Sequence, residues 1–210
     1  MPRPTEPSVE HLSRVKALTD GVFAIALTLI VLEIHLPPPE NIHSESELAV
    51  ALLGLAPRFL TYAVSFLTLT IFWFGQQAQH DLVAKMDRRL ATLHLVFLGF
   101  IALLPFSTDL LAEFLAFRLA VAVYWLNMLA LGIVLYSAWA YAGHNGLLTS
   151  EADATVRRRV RQRIVMAQIW WAIGAALSLV NPLLSLGVLL LIQLVYAVAP
   201  PWAWTRRVIG

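Results

Sequence analysis

Apolar positions in this chain gather into six long runs, at about 14–36, 57–79, 91–111, 119–142, 164–180 and 183–204, with short polar segments between them. A helix of about twenty apolar residues crosses the ~30 Å hydrocarbon core of a bilayer, so each run reads as a candidate transmembrane helix. Pro37, Pro38 and Pro39 stop the first run, and an acidic loop with Glu40, Glu45 and Glu47 follows. Residues 48–56 form a brief apolar approach suited to the membrane interface, and Pro57 opens the second run. Residues 80–89 are charged, 144–163 form the longest polar stretch after the first run, and Asn181-Pro182 makes a tight turn. The pattern predicts an all-α membrane protein with six transmembrane helices per subunit, arranged as a single domain over residues 1–210.

Composition sharpens this. With 59% hydrophobic and 13% charged residues and a mean hydropathy of +0.72, the chain is excluded from the ordinary soluble class. Cysteine is absent, which removes disulfides, thiol chemistry and any cysteine-containing metal site. The first thirteen residues lack the basic-then-apolar form of a cleavable signal, so the first helix is expected to stay and direct its own insertion. If the N-terminus is cytoplasmic, thirteen of the fifteen Lys and Arg residues fall on the inside, and only Arg58 and Arg118 fall outside. The positive-inside rule therefore predicts both termini in the cytoplasm and an even number of crossings. The seven tryptophans lie mostly toward span ends, where an interfacial belt accounts for them.

Candidate chemistry is concentrated in the first run, RVKALTDGVFAIALTLIVLEIHL. Between Leu18 and Leu36 its only ionisable residues are Asp20, Glu33 and His35. A carboxylate one turn inside such a helix is costly in lipid and faces protein or water. Two readings of Asp20 stand side by side. It anchors the helix by pairing with Arg14 or Lys16, or it has a functional role. Ile25, Leu29 and Leu32, with Thr28 beside them, share one stripe by their spacing of three and four. Ala17, Gly21, Ala24 and Ala26 would let other helices approach closely. Elsewhere the signals are blander. His94 is the one deep histidine, and an interhelical hydrogen bond suits it better than metal ligation. The run RRRVRQR, Arg157 to Arg163, reads as a topology anchor, with an anionic-lipid contact as the lesser alternative. Enzyme signatures such as HExxH, GxSxG, the P-loop and the dinucleotide-binding turn do not occur.

The segment Arg14-x-x-x-Leu18-Thr19-Asp20, followed by Gly21-Val22-Phe23-Ala24-Ile25-Ala26-Leu27-Thr28-Leu29, resembles the first-helix signature of the transmembrane protein 175 family of potassium channels, Arg-x-x-x-Phe-Ser-Asp. Pro57-Arg58-Phe59-Leu60-x-Tyr62-x-x-Ser65-Phe66, leading to Phe72-Trp73, resembles that family's second helix, and Leu103-Leu104-Pro105-Phe106 followed by Ser107-Thr108 resembles the end of its third. The likeness covers about the first 110 residues; beyond them only the topology agrees. It implies a homotetramer of single-repeat subunits in a bacterial plasma membrane, with the first helix lining a central pore for permeant monovalent cations. Carried over by offset from Asp20, the pore residues fall on Ile25, Leu29 and Leu32, with Thr28 as the polar layer and a transient K+ site. The resemblance also implies a packing and gating network through Arg14, Leu18, Thr19 and Asp20. Glu33 would concentrate cations at the outer mouth. No cofactor beyond permeant K+ is expected, membrane lipids are the surroundings, and no nucleic acid is involved.

Three departures qualify the likeness. Leu18 replaces the aromatic of the signature, Thr19 keeps a hydroxyl in place of Ser, and Gln76-Gln77 stand where the family often has a histidine pair. Any pH dependence tied to that pair is therefore expected to be absent. The alternative from another class is a secondary cation or proton transporter using Asp20, with His94, Asn127, Gln168 and Gln193 as further polar groups inside spans. Against it, the halves show no internal repeat and no pair of broken helices. A scaffold without transport is the third reading, and it would leave the Ile25, Leu29, Leu32 stripe as packing.

Overall fold

The computed structural model describes residues 9–36 and 38–198. The N-terminal stretch with Arg3, Pro37, the far end of the sixth expected span, and Arg206 and Arg207 lie outside the described residues. Eight α-helices follow one another: α1 Val9–Leu29, α2 Glu45–Gly54, α3 Ala56–Asp81, α4 Arg88–Ala102, α5 Leu104–Glu113, α6 Arg118–His144, α7 Ala154–Ala176 and α8 Pro182–Val198. A 3-10 turn at Ile30–Glu33 continues α1, and one at Leu177–Leu179 follows α7. The described residues contain no strand, only an isolated antiparallel bridge between Val83 and Leu148.

Among the described residues, four segments are long and apolar enough to cross a membrane: Leu12–Glu33, Ala56–Asp81, Arg88–Glu113 and Arg118–His144. This is a multi-pass membrane protein. The third crossing is interrupted. α4 stops at Ala102 and α5 resumes at Leu104 because Pro105 has no N–H to return to the carbonyl of the preceding turn. The C-terminal pair is less clear-cut. α8 is shorter, apolar over Pro182–Tyr196, and α7 begins at Ala154, so the arginine run is helical where the sequence pattern suggested a loop. Arginine is a good helix former, and hydropathy alone cannot tell a polar helix from a polar loop.

Helix starts are fixed by short polar side chains. Asp87 accepts from the Leu90 amide at 2.7 Å, Asp153 from Val156 at 2.7 Å, and Asn181 from Leu183 at 2.8 Å; each satisfies an amide that the helix itself leaves open. The α3–α4 and α6–α7 loops are stitched together by Ala84 N–H to Leu147 O and Thr149 N–H to Leu82 O, both 2.9 Å. Gly146 turns this second loop at φ 66°, a backbone conformation that favours glycine.

Inside the bundle, α6 packs against α4, α5 and α7, and α3 packs against α8 and α5. Rings link the helices: Phe23 of α1 meets Phe97 of α4, Phe97 meets Phe72 of α3, and Phe72 meets Trp171 of α7, with centroids 5.2–6.2 Å apart. A buried polar chain crosses the same core. Thr108 donates to Ser65 at 2.7 Å, the Thr68 and Tyr124 hydroxyls meet at 3.1 Å, and Gln193 of α8 donates to Thr68 at 2.6 Å. Hydrocarbon offers no water to these groups, so their pairing has to be internal. α2 contrasts with all this: none of its residues is buried, and Val50 and Leu53 are more than two-thirds exposed.

Close approach is tightest between α6 and α7. A Cβ on Gly132 would lie 2.1 Å from Nε2 and 2.3 Å from Cδ of Gln168, whereas one on Gly187 would meet nothing within 4 Å. Gly132→Val is therefore expected to overpack this seam at a cost of about 1–3 kcal/mol, and Gly187→Ala to cost far less. Thermal unfolding of the two variants in detergent checks the difference; equal midpoints would contradict this packing.

Candidate functional site

α1 is packed on one side only. Leu12, Thr19, Phe23, Ala26 and Ile30 are buried, spaced by seven, four, three and four residues, which places them on one helical face. That face lies against α3, α4 and α5. The opposite face is open: Arg14, Ala17, Leu18, Gly21, Ala24, Ile25, Thr28, Leu29 and Leu32 are all exposed. Ile25 is 60% and Leu32 66% exposed. Single exposed apolar residues need no explanation in a lipid-facing helix, but this stripe also contains a hydroxyl, a guanidinium and small residues. A Cβ on Gly21 would meet nothing within 4 Å, so no contact inside the subunit requires glycine there.

Thr28 lies exposed on this face. Its hydroxyl donates to the carbonyls of Ile25 at 2.8 Å and Ala24 at 3.1 Å. The proton is thus committed to the helix, and the oxygen lone pairs remain as acceptors on the open face.

Asp20 is bound by α3. Trp73 donates Nε1–H to its Oδ1 at 2.9 Å, and Gln77, one turn later, donates Nε2–H to the same oxygen. Neither expected partner takes part: Lys16 pairs with Asp81 at 3.4 Å, and Arg14 is exposed with no bonding partner among the described residues. Thr19 is buried and donates to Val15 O at 2.8 Å, while Leu18 is 47% exposed. Of the four signature residues only Thr19 is buried; Asp20 is exposed yet tied to α3, and Arg14 and Leu18 lie on the open face. The other glutamine turns inward. Gln76 Nε2 lies 3.0 Å from His80 Nε2 and 2.6 Å from His94 Nδ1, so His94 makes a helix-to-helix hydrogen bond.

At the far end of α1 the chain brings together residues that sequence reading kept apart. Glu33 sits on the half-buried side, beside Asp109 of α5, with His35 close by, and one ligand atom from each of the three lies within 4.8 Å of the others. Arg58 donates Nη1–H to Glu33 O at 3.2 Å, approaches His35 Nδ1 at 3.3 Å, and pairs with Glu113. Sequence reading missed Trp73 and Gln77 as the partners of Asp20, and Asp109 and His35 as those of Glu33. The available signal was weak: an indole and an amide at i and i+4 on one face of α3, and a lone acid near the end of the third span.

Comparison with known proteins gives the family. Residues 14–105 match the family model described as endosomal/lysosomal potassium channel TMEM175. A potassium channel of Streptomyces collinus is 34% identical over 188 residues, covering 87% of this chain and 90% of the relative. This chain belongs to the TMEM175 family. A crystal structure of a lysosomal potassium-selective channel TMEM175 homolog from Chamaesiphon minutus superposes with a TM-score of 0.78 at 30% identity, over 90% of this chain and 97% of that one. The human endosomal/lysosomal proton channel TMEM175 is 35% identical over 99 residues, 45% of this chain and 20% of its own length.

Two charge-assisted hydrogen bonds tie Asp20 to α3, each of a kind worth about 1.5–3 kcal/mol. Asp20→Asn and Gln77→Leu should each lower the thermal midpoint in detergent, and the double variant should fall little further than the worse single one. Strict additivity in that cycle would mean that the two side chains do not interact.

Proposed function

We propose that the protein is a passive K+ channel formed by four copies of the chain, each with six crossings and each giving the open face of α1 to a central pore. The observation that carries this is the open stripe itself: Ile25, Leu29 and Leu32 exposed beside an exposed Thr28. The relatives that match along most of their length support the ion, since they bear the name potassium channel.

Four Ile25 side chains around an axis make a narrow apolar ring that closes by dewetting, with Leu29 and Leu32 extending it. Four Thr28 oxygens next to that ring replace part of the hydration shell of a transient K+ as it passes. The open Gly21 and the small residues Ala17 and Ala24 let helices pack around the axis, and Arg14 reaches from the open face toward a neighbouring copy. Trp73 and Gln77 hold Asp20 to one side of the helix, which favours a positioning role over a relay. Glu33, turned toward Asp109, adds negative potential near the outer mouth. The basic segments around 85–89 and 157–163 support a reading with both termini on the cytoplasmic side of a bacterial plasma membrane.

The test is K+ flux from proteoliposomes holding the purified protein. Passive, potential-driven K+ flux is expected, severalfold higher in Ile25→Asn, with a reduced preference for K+ over Na+ in Thr28→Val. Absence of passive K+ flux in both wild type and Ile25→Asn would sink the channel reading and favour coupled transport.

A further inference from the structure

We propose that Glu33, His35 and Asp109 form a site for a divalent first-row transition-metal ion, Zn2+ being the type, which fastens the end of α1 to α5. Each residue contributes one ligand atom within 4.8 Å of the others. A metal–ligand distance of ~2.1 Å brings ligands of one ion to roughly 3.5 Å apart, so closure asks for about an ångström of movement. Rotation of the exposed His35 side chain is within that range.

Three observations point to a cation at this place. Asp109 Oδ1 is enclosed and has no hydrogen-bond partner among the described residues. A buried carboxylate oxygen without a donor is costly, and here a second carboxylate, Glu33, faces it. Two carboxylates sharing a site call for a proton or a cation between them.

The charges agree. Arg58 supplies one positive charge, which its pair with Glu113 answers, so the facing Glu33 and Asp109 carboxyls have no cation of their own among the described residues.

The third observation concerns His35, whose Nδ1 lies 3.1 Å from Glu33 O. Metal-bound histidines commonly donate their other ring N–H to a backbone carbonyl, which fixes the ring and leaves Nε2 as the ligand. One imidazole with two carboxylates is the donor set of zinc and its first-row neighbours, whereas Mg2+ and Ca2+ take oxygen alone. Arg58 Nη1 lies 3.3 Å from His35 Nδ1 and donates to the same Glu33 carbonyl; the tautomer that gives Nδ1–H to that carbonyl is the one that frees Nε2 for a metal. Arg58 braces the cluster by holding the Glu33 carbonyl.

The site reaches the open face through the backbone. Glu33 directly follows Leu32, so an ion that ties Glu33 to Asp109 restrains the end of the helix that carries Ile25, Thr28 and Leu29. Slowed K+ flux on metal binding follows, and this consequence rests on the channel reading; the binding itself does not.

Metal-free protein in detergent, dialysed against Zn2+ at neutral pH and moderate salt, should take up one Zn2+ per chain with saturation. His35→Ala and Asp109→Asn should each weaken that binding at least tenfold, and His144→Ala should leave it unchanged. Since His35 is exposed, its replacement keeps the test free of folding defects. Absence of saturable uptake, or equal uptake by wild type and both site variants, overturns the site. In proteoliposomes, Zn2+ should slow K+ flux through wild type and not through His35→Ala. Uptake that depends on His35 and Asp109, in a protein that passes no K+ at all, would uphold the metal site and overturn the channel reading.

Discussion

A carboxylate that must live on a membrane helix has to find donors within the protein, and the two that Asp20 finds both belong to α3. An acid at the centre of a membrane helix costs about 2.5–3.5 kcal/mol on insertion scales; exposed Asp20, one turn from the Lys16–Asp81 end, costs less than that, and two charge-assisted hydrogen bonds offset it. The consequence is directional. Trp73 and Gln77 lie on one side of α1, so satisfying Asp20 fixes the rotation of the helix about its axis. With that rotation set, Thr19, Phe23, Ala26 and Ile30 go into the core, and Ile25, Thr28, Leu29 and Leu32 have nowhere to face but outward.

The surrounding bundle is built to hold α3 still. Phe72, one residue before Trp73, is clamped between Phe97 and Trp171, and Gln76, one residue before Gln77, is locked to His80 and His94. Thr68 ties the same helix to α6 and α8 through Tyr124 and Gln193. The residues that grip Asp20 thus alternate with residues anchored in the core, and a helix fixed at so many points cannot turn to release its partner without breaking buried hydrogen bonds. In hydrocarbon each of those has no replacement from solvent.

Periodicity made the two sides of α1 legible in advance, because a spacing of three and four residues assigns a face whatever the partners are. The membrane class and the positions of the long crossings were legible for the same kind of reason: length and hydropathy are local properties. Pairings across the bundle were not. Asp20 is separated from Trp73 and Gln77 by 53 and 57 residues, and a nearby cation such as Arg14 or Lys16 was the simpler partner on paper. In the fold Lys16 is drawn to Asp81 instead, since both sit at the polar end where α1 and α3 leave the core. The arginine run misled in the opposite way: its charge marked it as loop-like, yet α7 is helical through it.

The glutamine pair shows how one local departure can have two unlike outcomes. Adjacent residues on a helix point about 100° apart, so Gln76 and Gln77 cannot serve the same neighbour. Gln77 faces α1 and donates to a carboxylate, a contact that an amide N–H makes as well as an imidazole N–H. Gln76 faces α4 and meets two imidazoles that each need a donor, which a single NH2 group supplies to both. Its own oxygen and the remaining ring nitrogens are left enclosed without partners among the described residues. The first substitution conserves the grip on Asp20 at no loss of hydrogen bonding. The second keeps the helix contact and leaves three polar atoms unsatisfied between α3 and α4, away from the open face of α1.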